Sequence, residues 1–190
     1  MERVSIGSLL TFVLASIWAI GLIGCAPAPE TPKYPELPLP EEQPAPTPEP
    51  PRVFPAPSGF VNDFAEVIDD ATERDLETKL STFQQENNVD FAVVTVLSTG
   101  PESVDDYSLE MAREWKIGSE KGGLLLLVSI DDRKWRIQID RKLEALMTNA
   151  EVRAIGEVMV PAFKRKNYSA GIVRCTDSML AALKKKFSNS

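Results

Sequence analysis

The chain has 190 residues, with 21 Lys and Arg against 28 Asp and Glu, and this acidic balance argues against a basic face for a nucleic-acid partner. It contains no histidine, which excludes Ser–His and Cys–His nucleophile pairs, an imidazole base and His-ligated zinc. Any metal must then be held by oxygen ligands, which points to calcium or magnesium, and any catalysis must run on carboxylates, hydroxyls, Lys or Tyr.

Met1-Glu2-Arg3 is followed by an uncharged, apolar run from Val4 to Gly24, long enough to span a bilayer as a helix. The run ends at Leu22-Ile23-Gly24-Cys25, which resembles the bacterial lipobox. Residues 1–24 are therefore read as a cleaved lipoprotein signal peptide, with Cys25 as the lipidated first residue of the mature chain. Two or more acyl chains anchor durably where one does not. The alternative is a permanent N-terminal transmembrane helix with a chance cysteine at its end. The cysteine sits where the apolar run stops and the linker begins, which favours the lipobox. Either way the chain is expected outside the cytoplasm, held at a lipid bilayer of the cell envelope.

Thirteen of the 15 prolines fall between Pro27 and Pro57. Residues 25–57 thus read as the lipidated cysteine plus a proline-rich tether, favouring extended polyproline II over a packed core. From Ala26 to Pro57 there are 32 residues, which would reach about 100 Å fully extended.

Residues 58–190 carry 18 Lys and Arg and 22 Asp and Glu and are long enough to bury a core without disulfides. A helix is expected from Ile68 to about Asn87, with Asp70 and Glu73 as a capping box and Leu76, Leu80 and Phe83 on one stripe. Asp90 to Leu97 reads as a short strand covered on both faces. A second helix starts at Ser103, with Asp106 placed to accept from its first turn; Val104, Tyr107, Met111 and Trp115 form its stripe. Gly123 to Ile130, with four consecutive leucines, reads as a central strand. Asp131-Asp132-Arg133-Lys134 reads as a hairpin turn. Beyond it Trp135, Ile137 and Ile139 alternate with Arg136, Gln138 and Asp140, the pattern of a half-buried antiparallel strand.

Thr148 with Glu151 opens a further helix through a capping box, packing Val152, Ile155 and Met159, and Pro161 ends or kinks it. A last helix runs from about Ser169 to Phe187. Ile172 and Met179 flank Cys175 on its inner face, so that thiol reads as a small buried hydrophobe. Lys184-Lys185-Lys186 sits at its C-terminal end, where the helix dipole favours cations. With Cys25 acylated, Cys175 has no partner in the chain and a disulfide framework is excluded. These elements predict an α/β fold, a three-layer α/β/α sandwich around a small mixed sheet.

Several segments in this order resemble the TPM domain family, found in bacterial envelope proteins and in a thylakoid-lumen protein associated with photosystem II repair. They are Val61-Asn62-Asp63-Phe64-Ala65, Asp106-Tyr107-Ser108, Trp115-Lys116-Ile117-Gly118 and Gly123-Leu124-Leu125-Leu126-Leu127-Val128 with its Asp131-Asp132-Arg133-Lys134 turn. Leu143-Glu144, Met147-Thr148-Asn149-Ala150, Pro161-Ala162-Phe163 and Tyr168-Ser169-Ala170-Gly171-Ile172 complete the series. The resemblance covers nearly all of residues 59–183 and implies an α/β/α fold, a bound divalent cation (Ca²⁺ or Mg²⁺) in many members, and an acid phosphatase activity. Carried over position by position, it nominates Asp63, Gly122, Gly123, Asp131 and Asp132 as metal-site residues.

Two segments depart from the family pattern. Many members carry Asp/Asn-Asn-Gly where this chain has Lys121-Gly122-Gly123, and most have Gly-Tyr-Gly-Leu-Glu where it reads Asp140-Arg141-Lys142-Leu143-Glu144. The first departure removes a side-chain oxygen and adds a cation; the second replaces two glycines. Neither an Asp-x-Asp-x-Thr nucleophile motif nor a P-loop is present, and no catalytic residue is nominated. Two readings follow. The first is a membrane-anchored, extracytoplasmic binding module acting on an envelope membrane-protein partner in assembly or repair. The second is a cation-dependent acid phosphatase using the acidic site. The altered loops favour the first.

Overall fold

The computed structural model describes residues 54–118 and 120–189; the apolar run, Cys25 and the tether through residue 53 lie outside them. The described chain runs β1 (Val61–Asp63), α1 (Asp70–Asn87), β2 (Asp90–Val96), α2 (Val104–Glu114), β3 (Gly123–Ser129), β4 (Lys134–Ile139), α3 (Arg141–Glu144), α4 (Asn149–Glu157), α5 (Val160–Phe163) and α6 (Tyr168–Ser188). Among the described residues no helix is long and apolar enough to cross a membrane.

The four strands lie in the order β1-β2-β3-β4. The first three are parallel, with Asp63 beside Thr95 and Asp90 beside Gly123, and β4 returns antiparallel through the turn after Ser129. Period-two alternation sends neighbouring side chains to opposite faces. Phe91, Val93, Leu124, Leu126, Val128, Ile137 and Ile139 pack with α1, α4 and α6 in one core. Ala92, Val94, Val96, Leu125 and Leu127 pack with α2 in a second core on the other face. The result is a three-layer α/β/α sandwich around a mixed sheet. Successive crossovers step the same way across the sheet yet cover opposite faces, so α1 and α2 cross with opposite hand and one departs from the usual right-handed rule.

Helix starts follow local capping chemistry. Thr148 and Glu151 form a reciprocal capping box at α4, as their spacing indicates. At α1 the cap is Asp69, not Asp70: Asp69 accepts from the Thr72 N–H at 3.0 Å and the Thr72 hydroxyl at 2.8 Å, a pair of donors Glu73 cannot match. At α2 Ser103 is the cap, and Asp106 accepts there from the cap's hydroxyl. The Ser103 hydroxyl accepts from the Asp106 N–H at 3.0 Å and donates to the Asp106 carboxylate at 2.7 Å.

The folded part reaches back beyond residue 58. Phe54 is 5% exposed and meets Tyr107 edge-on, with ring centroids 5.1 Å apart. The Trp115 indole N–H donates to the Pro55 carbonyl at 3.1 Å. The α2 stripe therefore receives the end of the segment assigned to the tether.

Candidate functional site

The residues nominated from the sequence divide between the two ends of the sheet. Asp63, Asp131 and Asp132 lie where the parallel strands finish, and Gly122 and Gly123 where they begin. Seven residues of β3 separate these ends, about 20 Å at the rise of a strand. A single ion cannot bind both groups, so the nominated set is not one coordination sphere. Gly122–Gly123 and Asp131–Asp132 flank one strand in sequence and lie at its opposite ends in space.

At the finishing end, Asp63 closes its own turn. Its carboxylate accepts from the Ile68 N–H at 2.6 Å and from the Thr95 hydroxyl, while Ala65 N–H donates to the Thr95 oxygen at 3.2 Å. Asp132 staples two loops together. It accepts from the Ser129 hydroxyl at 2.6 Å, the Thr99 N–H at 2.8 Å and the Ser98 hydroxyl at 3.1 Å. These donors, Ser129 foremost, pull its pKa from 3.8 down to about 2. Asp131 is exposed, and its N–H donates to the Leu97 carbonyl at 2.8 Å. Among the described residues no three carboxylate or thiol groups converge to hold a metal ion. Asp63 and Asp132 thus each hold their own loops through N–H and hydroxyl donors.

At the starting end, the two segments that depart from the family pattern meet. Gly122 has φ +120°, and a Cβ there would lie 2.7 Å from an Asp140 carboxylate oxygen and 2.9 Å from Leu143. The Asp140 N–H donates to the Gly123 carbonyl at 3.0 Å. The Asp140 carboxylate caps α3, accepting from the N–H groups of Lys142 at 3.1 Å and Leu143 at 3.0 Å. The Lys142 ammonium reaches back to the Glu120 carbonyl at 3.1 Å. Gly122 is thus tied to the turn after β4 by close approach as well as by backbone conformation.

Beside this junction lies a cavity of about 470 Å³ between the C-terminal half of α2 and the ends of β3 and β4. Leu109, Ala112, Ile117 and Leu125 give it an apolar wall, and Arg113, Lys116 and Arg141 give it three cations. Its carboxylates are Asp140, engaged in capping, and Glu144. Such a rim, with an apolar floor, suits a compact anionic group. The sequence named both flanking segments as departures. That they form one wall was hidden, because Gly123 and Asp140 meet only once β3 and β4 pair.

Comparison with known proteins is consistent with this architecture. Residues 61–182 match the family model described as the TPM domain. The solution structure of the N-terminal domain of a Porphyromonas gingivalis protein (P.gingivalis) is 30% identical, covers 66% of this chain and 82% of that one, and superposes with a TM-score of 0.62. BA42 from the psychrophilic bacterium Bizionia argentinensis has 17% identity, coverages of 64% and 84%, and a TM-score of 0.56. The N-terminal domain of cg2496 from Corynebacterium glutamicum has 14% identity, coverages of 70% and 84%, and a TM-score of 0.54. The last two speak for the fold alone. No curated protein matches the chain.

Proposed function

The chain belongs to the TPM domain family, and from that premise we propose that it is a non-catalytic accessory module that binds an anionic group of an envelope partner. In this reading Cys25 carries the lipid anchor, the proline-rich segment is the tether, and the domain works outside the cytoplasm during assembly or repair of a membrane-protein complex. The observation that carries the binding role is the cavity beside α2. Arg113, Lys116 and Arg141 line it, while the Asp140 carboxylate is held by two backbone N–H groups. Phosphate-ester hydrolysis needs a nucleophile as well as charge stabilisation. The described residues lining the cavity include no Ser, Thr, Cys or Tyr, and Asp140 is engaged in capping α3; turnover would fall to Glu144 or Lys116, which favours recognition.

The test uses the full chain in detergent micelles, titrated with inorganic phosphate and followed by the amide resonances of Gly123, Gln138 and Arg141. Binding that is lost in the Lys116→Glu/Arg141→Glu double variant supports the reading. Equal shifts in parent and variant would remove the cavity from it. Capture from solubilised envelope by the parent, compared with the same double variant, then identifies the partner.

A further inference from the structure

The sheet has two edges, and they are finished differently. At β1 the edge is closed from within: the Glu77 carboxylate of α1 accepts from the N–H groups of Phe60 at 3.0 Å and Val61 at 2.8 Å. At β4 the hydrogen-bond parity leaves an edge unpaired among the described residues. Asp90 N–H donates to Gly122 O, Ile130 N–H to Val96 O, and Asp140 N–H to Gly123 O. The even-numbered residues of β3 therefore bond to β2, and its odd-numbered ones bond to β4. In the observed register those odd residues face Lys134, Arg136, Gln138 and Asp140. It follows that the backbone N–H and C=O groups of Trp135, Ile137 and Ile139 point away from the sheet. The Ile139 carbonyl receives the Gln138 side-chain amide at 3.2 Å.

Trp135 and Ile137 line a groove of about 490 Å³ between the start of α2 and α4. Ile137, 4% exposed, forms its floor, where backbone groups are shielded from water and a new hydrogen bond counts for more. The groove is locally positive on an acidic chain: Arg133, Lys134, Arg136 and Arg153 line it against Asp105 and Glu157. Arg136 pairs with Asp105 at 2.9 Å and Arg153 with Glu157 at 3.8 Å, so Arg133 and Lys134 carry the groove's net positive charge. The Arg136 Nε atom is buried there without a hydrogen-bond partner.

We propose that the open edge of β4 takes up an extended strand of a partner protein, free of proline and carrying acidic side chains at alternate positions. Strand addition supplies main-chain hydrogen bonds, and alternate side chains then read the walls of the groove. On the α2 face those side chains would meet Lys134 and Arg136. Two other occupants fit less well. A second copy pairing edge to edge about Ile137 would set Arg136 against Gln138 and Lys134 against an Asp140 already engaged in capping α3, so it answers these cations less fully than an acidic strand. The chain's own acidic tether never goes more than three residues without a proline from Pro27 to Pro51, and each lacks the N–H a ladder needs. This inference does not depend on the cavity at the other end of β4.

The experiment titrates the isotope-labelled full chain in detergent micelles with a capped eight-residue peptide alternating valine and glutamate. Expected are amide shifts and slowed exchange centred on Trp135 and Ile137. The valine–lysine counterpart should bind at least tenfold more weakly, and the fully N-methylated valine–glutamate peptide, which keeps the charges and loses every donor, should not bind. Arg136→Glu should weaken binding tenfold with an unchanged circular dichroism spectrum, whereas Arg141→Glu should leave it unaltered. Equal binding of the N-methylated peptide, or shifts centred on Arg141 to Glu144, would overturn the proposal. So would shifts at Trp135 that depend on protein concentration alone, which would make a second copy the occupant.

Discussion

Trp135 of β4 lies so close over Gly156 of α4 that a Cβ at Gly156 would fall 2.1 Å from the indole ring. The glycine is therefore a packing device, letting α4 approach the edge strand. Gly156→Ala gains about 1 kcal/mol of helix propensity but overpacks the contact at a cost of about 1–3 kcal/mol. We expect a net loss of stability in chemical denaturation. The Gly156→Ala/Trp135→Leu double variant should cost less than the sum of the single changes, because the collision of the first is absent once the indole is removed.

Asp132 makes stability depend on acid. Its folded pKa is depressed from 3.8 to about 2, chiefly by the Ser129 hydroxyl and then the Thr99 N–H. A depressed carboxyl stabilises above its unfolded value and loses that contribution as pH falls through the folded one. Asp132→Asn should therefore lower the melting temperature at pH 7, and the gap to the parent should close between about pH 4 and pH 2. A gap that persists undiminished at pH 2 would contradict the assignment. Glu151 behaves in the same sense, its pKa drawn from 4.5 to about 2 chiefly by Lys186.

Cys175 has no exposed surface and sits among Ile172, Met179 and the strands; burial pushes its pKa up to about 12. In the folded protein it should resist thiol reagents at pH 8, with labelling appearing only as denaturant unfolds the domain. Rapid labelling of the native chain would mean that α6 opens readily.

Much of the fold was legible because its signals are local. Leu76, Leu80 and Phe83 repeat at helical spacing and are buried. Thr148 and Glu151 cap a helix from three residues apart. Residues 91–96, Thr95 apart, and 124–128 are apolar because both faces of their strands are covered. What escaped depends on distant partners. β1 has three residues, too few for a period, and its place is fixed by pairing with β2. Phe54 lies in a proline-rich stretch and is buried only because Tyr107 comes to meet it. Asp63 was noticed, yet its turn is completed by Thr95, 32 positions away. The candidate cavity was legible as two unusual segments and illegible as one wall.

The anchor makes a separate prediction. Mass spectrometry of the mature protein should find an N-terminal, acylated Cys25, and Cys25→Ser should release the domain from membranes. An intact Met1 peptide recovered from membranes would replace the lipid anchor with a transmembrane helix.

In the proposed function the cavity lined by Arg113, Lys116 and Arg141 binds an anion without turning it over. The most direct measurement incubates the full chain with p-nitrophenyl phosphate from pH 4 to 8, with and without Ca²⁺ or Mg²⁺, while following the Gly123 and Arg141 amides. The predicted result is saturable shifts at those amides with no nitrophenol released above the buffer rate. Hydrolysis that requires the cation and disappears in Asp140→Asn would contradict it.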